Sequence, residues 1–266
     1  MKEQLMDEAV LAHALAAARE AAAAAGDIIR HHWQRGVEIE LKDDQTPVTV
    51  ADREAELAIR AILQRALPEA GIYGEEFGRQ GADGRALWLV DPLDGTKSFV
   101  RRTPFFSTQI ALMLDGELVL GVSSAPIYGE TMWAVRGQGA WLDGQRVRVA
   151  STDNVAAASI STGNIKSLAA GPQWPLLGQL IGQCNRIRGY GDFCHYHLLA
   201  RGSLDLVIES DVGILDIAAL AVIVREAGGV FTDLRGGALD LDSRSVLAGT
   251  PVLHGLALRQ LQSGAR

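Results

Sequence analysis

Two aspartates three residues apart, Asp91 and Asp94 in "WLVDPLDGT", flank a proline at the end of an apolar run. Two more acids share that setting: Glu75 in "IYGEE" follows a short apolar run, and Asp216 in "GILDIAAL" opens an apolar helical pattern. Carboxylates at strand ends and helix starts converge on the rim of a sheet, the usual place of ligand sites in α/β folds. Held close, they repel one another and stay ionised together only around a cation. Oxygen donors with no His or Cys beside them select a hard ion, Mg²⁺ or Mn²⁺. Asp91 is placed to bridge two ions about 3.5–4 Å apart, with Asp94 on one of them. The Leu93 carbonyl, exposed by a turn at Pro92, is a further donor. Gly95 and Thr96 would then open a helix whose free N–H groups suit a phosphate. Each piece alone has a plainer reading: Asp94-Gly95 as a turn, Glu75-Glu76 as solvated surface, Asp216 as a helix N-cap.

The elements that must position these acids are legible in part. Helical periodicity marks roughly residues 6–35, with Leu5, Ala9, Ala12, Ala16, Ile28 and Ile29 on one face and Gly36 as a stop. "TVADREAELAIRAILQRALPEAG" signals a second helix, with Ala51, Ala55, Ala58, Ile59 and Ile62 inward and Pro68 at its end. "STQIALMLDGELVLGVSSA" alternates on both sides of Asp115-Gly116, and "GETMWAVRGQGAWLDGQRVRV" carries another Asp-Gly at Asp143-Gly144. Both read as hairpins of a largely antiparallel sheet packed on the two helices. The two glycines of "RGQGAWLDG" lack the third of a dinucleotide fingerprint, and a strand pair fits better. Beyond residue 150 the pattern alternates: strand "AAASIST", a helix near 175–183, strand "NRIRGYG", helix "DFCHYHLLARG", strand "LDLVIE", helix "LDIAALAVIVREAGG". The fold class is α+β or α/β, and the 266 residues form one domain in two halves, about 1–148 and 149–266.

Composition excludes several classes. A net charge of −7 argues against a general nucleic-acid binder, which needs a basic face. Two cysteines, Cys184 and Cys194, make neither a disulfide framework nor a zinc motif and read as ordinary thiols in a reducing compartment. The alanine-rich start carries Glu8, Arg19, Glu20 and Asp27, which no signal peptide or membrane span would tolerate. A soluble, cytoplasmic protein without membrane or nucleic-acid partners is expected.

Taken together, "TVAD" (49–52), "GEE" (74–76), "DPLDGT" (91–96) and "LDIAALAVIVREAGG" (215–229) resemble the inositol-monophosphatase-like family of metal-dependent phosphatases, nearly end to end. The resemblance implies a five-layer αβαβα sandwich, usually a homodimer, acting on a small phosphomonoester with two or three Mg²⁺ ions, or Mn²⁺ in their place. By motif, the first-metal ligands fall on Glu75, Asp91 and the Leu93 carbonyl, and the second-metal ligands on Asp91, Asp94 and Asp216. The nucleophile is a metal-held water, and the pair that helps activate it falls on Thr96 and Asp52, with Glu75 also in the catalytic set. Leu93, Asp94, Gly95, Thr96 and Asp216 border the phosphate. Many members have Trp directly before the last metal aspartate; here it is Leu215, which implies a change in packing or access.

Substrate choice rests on the second half. "RGYGDF" resembles the histidinol-phosphate phosphatase branch of the family, in place of the Gly-Thr-Ala or Gly-Ser-Ala of polyol phosphatases. Asp192 and Glu209 would pair with the substrate's ammonium, and Arg188 would orient the substrate. Glu209, seven residues before Asp216, matches the family position that contacts the leaving alcohol. Asp192 reads equally well as the N-cap of the next helix. His195 and His197 would diverge by about 200° on a helix, which speaks against a shared metal. The expected activity is hydrolysis of L-histidinol phosphate to L-histidinol and phosphate, in histidine biosynthesis. An inositol-1-monophosphatase or another sugar-alcohol monophosphatase is the alternative. A family member whose main work is binding a protein or RNA could lose its acids freely; this chain keeps Glu75, Asp91, Asp94, Thr96 and Asp216.

Overall fold

The computed structural model describes residues 8–35, 39–41, 47–81 and 84–263. Leu5 and the stop at Gly36 lie outside the described residues. Two helices come first: α1 (Glu8–Arg35) and, after a short antiparallel pair β1 (Ile39–Leu41) and β2 (Pro47–Thr49), α2 (Val50–Ala66). Their facing sides are small, with Ala14, Ala18, Ala21 and Ala25 on α1 and Ala51 and Ala55 on α2 fully buried, so the helices pack closely.

The chain then weaves one large sheet from β3 (Gly71–Gly74), β4 (Gly78–Gln80), β5 (Ala86–Asp94), β6 (Ser107–Leu114), β7 (Glu117–Ala125), β8 (Glu130–Val135), β9 (Gly139–Leu142) and β10 (Gln145–Val147). A short helix, α3 (Thr96–Val100), sits between β5 and β6. The strand order is β10-β9-β8-β7-β6-β5-β3-β4, antiparallel throughout except for the β3–β5 pair. Both Asp-Gly turns have positive φ at each residue (49° and 84° at Asp115-Gly116, 46° and 84° at Asp143-Gly144). That is the type I′ geometry whose twist suits a hairpin.

The second half contributes β11 (Ser159–Gly163), α4 (Ile165–Ala170), α5 (Trp174–Gln183), β12 (Arg186–Arg188), α6 (Asp192–Ala200), β13 (Leu206–Ser210), α7 (Ile214–Glu226), β14 (Val230–Thr232), β15 (Ser245–Gly249) and α8 (Pro251–Gln262). Its five strands run in the order β12-β11-β13-β15-β14.

Alternation along single strands shows the layers. On β5, Trp88 and Val90 join the core under α1 and α2, while Leu87 and Leu89 join the core on the opposite face with α6 and α7. On β15, Val246 and Ala248 face that same middle layer, and Leu247 faces a third core with α5 and α8. The result is αβαβα, the five-layer sandwich expected. Lying between two sheets, α7 is apolar all round, with Ile217 to Val224 buried without a break. Leu215 is buried in this middle core. Among the described residues no helix is long and apolar enough to cross a membrane.

Candidate active site

Residues three apart on a regular strand point to opposite faces, so Asp91 and Asp94 should not meet. They do meet because β5 does not stop at Asp91, as the apolar run suggests, but continues through a bulge. Asp91 pairs with Gln109 and Asp94 with Ser107, so three steps along β5 match two along β6. The one extra residue returns Asp94 to the face of Asp91. That face is the one carrying Leu87 and Leu89, towards α7. Leu93 points the other way into the helix-side core, and its amide donates to Asp91 Oδ1 at 3.0 Å. Thr108 Oγ1 fastens the bulge by donating to the Pro92 carbonyl at 2.9 Å.

From the middle layer, α7 brings Asp216. One oxygen from each of Asp91, Asp94 and Asp216 lies within 4.8 Å of the others, a spread that a divalent ion can bridge with metal–oxygen bonds of about 2.0–2.6 Å. Asp216 is not the N-cap of α7; Gly213 holds that position, and Asp216 Oδ2 accepts the Gly213 N–H from inside the first turn at 2.7 Å. This bond fixes the carboxylate and leaves its second oxygen available.

Glu75 follows β3, whose parallel register sets it beside β5; its amide bonds the Val90 carbonyl at 3.2 Å. The turn after it is shaped by a residue that the sequence did not flag. Glu56 of α2 is fully buried, ion-paired to Arg60 at 2.7 Å, and accepts the amides of Glu76 (2.7 Å) and Phe77 (3.3 Å). Gly74 is required there, since a Cβ would lie 2.0 Å from Glu56 Oε1.

Asp52 sits behind this cluster, fully buried, in a capping box with Thr49: its Oδ2 accepts from the Thr49 amide (2.8 Å) and hydroxyl (2.6 Å). Its other oxygen, Oδ1, is 3.0 Å from Thr96 Oγ1, which is also 3.0 Å from the Leu93 carbonyl. A hydroxyl has one hydrogen and two lone pairs. With the hydrogen turned to Asp52, the Leu93 oxygen is free for a cation and a Thr96 lone pair can receive a donor from the cavity. Gly95 makes this approach possible: it has φ 87°, and a Cβ would lie 2.5 Å from the Phe105 carbonyl.

These groups line one cavity of about 440 Å³, shared by Glu75, Asp91, Leu93, Asp94 and Asp216 with Asp192, Tyr196 and Glu209. Gly95, Thr96, Lys97 and Ser98, the opening of α3, line it too. Burial and mutual repulsion raise the acids. Burial, then Glu75, Asp94 and Asp216, push Asp91 well above the carboxylate range; burial, then Asp192, Asp216 and Glu209, do the same to Asp94. Asp216 is raised to about 6, chiefly by burial. Asp192 also rises to about 6, by burial and then Glu209, with His195, Ser98 and Lys97 opposing. Asp52 is raised by burial against its hydrogen bonds from Thr49 and Thr96. Such a set protonates unless a cation compensates it. The donor set therefore fits a divalent metal: hard oxygens, clustered, with no nitrogen or sulfur donor among the three that converge.

Of the residues expected to meet the substrate, Glu209 is 3 % exposed and held by Tyr196 Oη–H (2.6 Å) and His195 Nε2 (3.1 Å). A Cβ on Gly163 would lie 1.8 Å from Glu209 Oε1, so β11 passes directly beneath the carboxylate. Asp192 is not an N-cap. Gly191 is the cap residue of α6 and makes no side-chain bond; Asp192 is the first helical residue, left-handed at φ 47°, with its carboxylate in the cavity wall. Arg188, expected to orient the substrate, lies on β12, the edge of the small sheet, exposed and bonded to the neighbouring Ile187 carbonyl at 2.7 Å, and is not among the residues that line the cavity. His195 and His197 leave α6 on different sides, one to Glu209 and the other to Ser123.

The inositol monophosphatase family matches this sequence over residues 10–265. A histidinol-phosphatase of Mycobacterium tuberculosis is 41 % identical over 231 residues, 85 % of this chain and 88 % of the relative. An inositol-1-monophosphatase of Rhizobium meliloti is 36 % identical over 220 residues, 81 % and 82 % of the two chains. The crystal structure of the extragenic suppressor protein suhB from Bartonella henselae superposes with a TM-score of 0.86 at 32 % identity, covering 93 % of this chain and 98 % of that one.

Proposed function

The chain belongs to the inositol monophosphatase family, a metal-dependent phosphatase, and from that premise we propose that its substrate is L-histidinol phosphate, hydrolysed with Mg²⁺ to L-histidinol and phosphate. The observation that carries the choice of substrate is the further acidity of the cavity lining. Besides the metal cluster it holds two more carboxylates, Asp192 and Glu209, which we read as the groups that meet the leaving alcohol. Glu209 is already held by Tyr196 and His195, and Lys97 also lines the cavity, yet the lining stays acidic in sum and suits a cationic substrate better than a neutral polyol. A substrate with an ammonium beside its phosphate supplies the missing charge, and charge-assisted hydrogen bonds of this kind contribute about 1.5–3 kcal/mol. The similarity to the histidinol-phosphatase supports the same reading.

Glu75, Asp91, Asp94, Asp216 and the Leu93 carbonyl would hold the ions. When bound, divalent ions neutralise the phosphoryl oxygens, stabilise the departing alkoxide and lower the pKa of a water. The protein's own groups do the rest. Thr96 Oγ1, its hydrogen directed to Asp52, offers a lone pair that orients the attacking water and draws on its proton. The capping-box bonds from Thr49 keep Asp52 in place for this. Glu209, clamped by Tyr196 and His195, holds the alcohol end and sets the phosphorus in line with the water. Water oxygen bonds to phosphorus as the ester P–O bond breaks; one water hydrogen stays on the phosphate product and the other, given up on the Thr96 side, is balanced by the proton the leaving alkoxide takes from solvent.

The alternative, an inositol or other sugar-alcohol monophosphatase, uses the same machinery and has the similarity to the Rhizobium meliloti enzyme in its favour. Phosphate release from L-histidinol phosphate and from inositol 1-phosphate, side by side with Mg²⁺ and with EDTA, separates the two. The proposal expects metal-dependent turnover with kcat/KM at least ~10-fold higher for histidinol phosphate, and a ~10–100-fold loss of that value in Glu209→Gln. Equal or better turnover of inositol phosphate overturns it.

A further inference from the structure

Opposite the two aspartates of the bulge, β6 presents two side chains that the mechanism above does not use. Ser107 and Gln109 are both fully buried, paired in register with Asp94 and Asp91 respectively. Gln109 Nε2 donates to Ser107 Oγ at 2.7 Å and to Ser123 Oγ at 3.0 Å, and Ser107 Oγ donates to Asp94 Oδ2 at 3.2 Å.

The direction of this chain is dictated by its ends. With a cation beside it Asp94 is ionised and only accepts, so the single hydrogen of Ser107 goes to Asp94, and its lone pair must take a donor. Gln109 supplies that donor. Its second N–H goes to Ser123, whose hydroxyl meets His197 Nε2 at 2.8 Å. His197 in turn faces Glu130 at 3.7 Å, and Glu130 is tied to Arg201 at 3.1 Å. With Asp94 ionised the amide does not turn round: its carbonyl would then face a lone pair of Ser107, whose only hydrogen is committed to Asp94.

The cost of this arrangement is visible. Gln109 Oε1 is buried with no hydrogen-bond partner among the described residues. A Leu or Met would fill the same volume without an orphaned oxygen. What Gln109 adds over such a residue is its pair of donors, one of which fixes the hydroxyl that aims Asp94.

We propose that Gln109, acting through Ser107, is a positioning residue that holds the Asp94 carboxylate in the orientation that receives the divalent ion. The proposal rests on the reading of Asp94 as a ligand. Partners that orient metal ligands typically change affinity by about 10–100-fold when removed.

The test measures Mn²⁺ binding by the free-ion EPR signal at constant pH, together with the thermal midpoint of the EDTA-treated protein. The variants are Gln109→Met (similar shape, no donor), Gln109→Glu (same shape, acceptor in place of donor), Ser107→Ala and, as the control, Asp94→Asn. The expected result is a rise of about 10–100-fold in the Mn²⁺ dissociation constant for the Gln109 and Ser107 variants. The Gln109→Met/Ser107→Ala double variant should bind no more weakly than the worse single one, because the two act in series. If Gln109→Met fails to fold, Ser107→Ala and Gln109→Glu carry the test. Folded variants with lowered midpoints but Mn²⁺ binding within about two-fold of the parent overturn the proposal, since they show a structural role only. Should Asp94→Asn itself bind Mn²⁺ as the parent does, the ligand reading of Asp94 fails, a different result from failure of the relay.

Discussion

Without metal the acidic cluster should make the folded state prefer acid, and with metal that preference should vanish. Asp192 and Asp216 are raised from 3.8 to about 6. A group whose pKa is higher folded than unfolded stabilises the fold below its unfolded pKa and loses that contribution as pH rises through the folded pKa. Between pH 5 and pH 7, a group shifted from 3.8 to about 6 gives up on the order of 1 kcal/mol by this linkage. Two such groups give about 2–3 kcal/mol, or about 5 °C in thermal midpoint at roughly 2 °C per kcal/mol for a chain of this size. Asp91 and Asp94 are raised for the same reasons and add in the same direction. Two buried histidines oppose them: His197 and His254 are lowered by burial, so their contribution grows as pH rises over the same range. The histidines act with and without metal, so the clean readout is the difference between the midpoints in Mg²⁺ and in EDTA. That difference should widen by about 5 °C or more from pH 5 to pH 7. A Mg²⁺ effect of the same size at both pH values would refute the argument that proton and metal compete for these carboxylates.

Three further substitutions probe separate parts of the site. Thr96→Val keeps the shape but removes the hydroxyl 3.0 Å from Asp52. It should lower kcat by ~10²-fold or more while Mn²⁺ binding, read by EPR, stays near that of the parent. Gly163→Ala drives a methyl to within 1.8 Å of Glu209 Oε1, so the carboxylate must move. KM for histidinol phosphate should rise about 10-fold, with less change for inositol phosphate. Glu56→Ala removes the buried carboxylate shared by the Arg60 guanidinium and the amides of Glu76 and Phe77. A loss of about 3 kcal/mol in denaturant unfolding is expected, with a higher Mg²⁺ requirement as Glu75 loses its support.

Local chemistry was legible because it is written in short stretches. Asp-Gly pairs between alternating runs become type I′ hairpins since only such residues tolerate positive φ at both positions. Acids after apolar runs converge because strand ends and helix starts share one rim. The unbroken apolar run of α7 likewise follows from lying between two sheets. What escaped depends on partners distant in sequence. "DPLDGT" does not reveal a bulge, because the bulge exists only relative to the register of β6. Glu56, Ser107 and Gln109 look like ordinary surface or strand residues until the fold buries them beside Glu75 and Asp94. Whether a strand residue such as Arg188 faces a site or solvent depends on its sheet position, which its neighbours in sequence do not give, and β12 is an edge. Asp192 was read as a possible cap from its place before a helix; the left-handed backbone that turns its carboxylate into the cavity wall has no local signature beyond the preceding Gly191.

A divalent-metal centre on the carboxylates of Asp91, Asp94 and Asp216 is what the chemistry above depends on. Anomalous diffraction from crystals soaked in Mn²⁺, recorded above the manganese edge, tests it most directly. The account predicts a strong peak among these three residues, about 2.0–2.6 Å from an oxygen of each. A second peak is expected between Asp91, Glu75 and the Leu93 carbonyl. Fully ordered side chains with no anomalous peak at millimolar Mn²⁺ and neutral pH would contradict it.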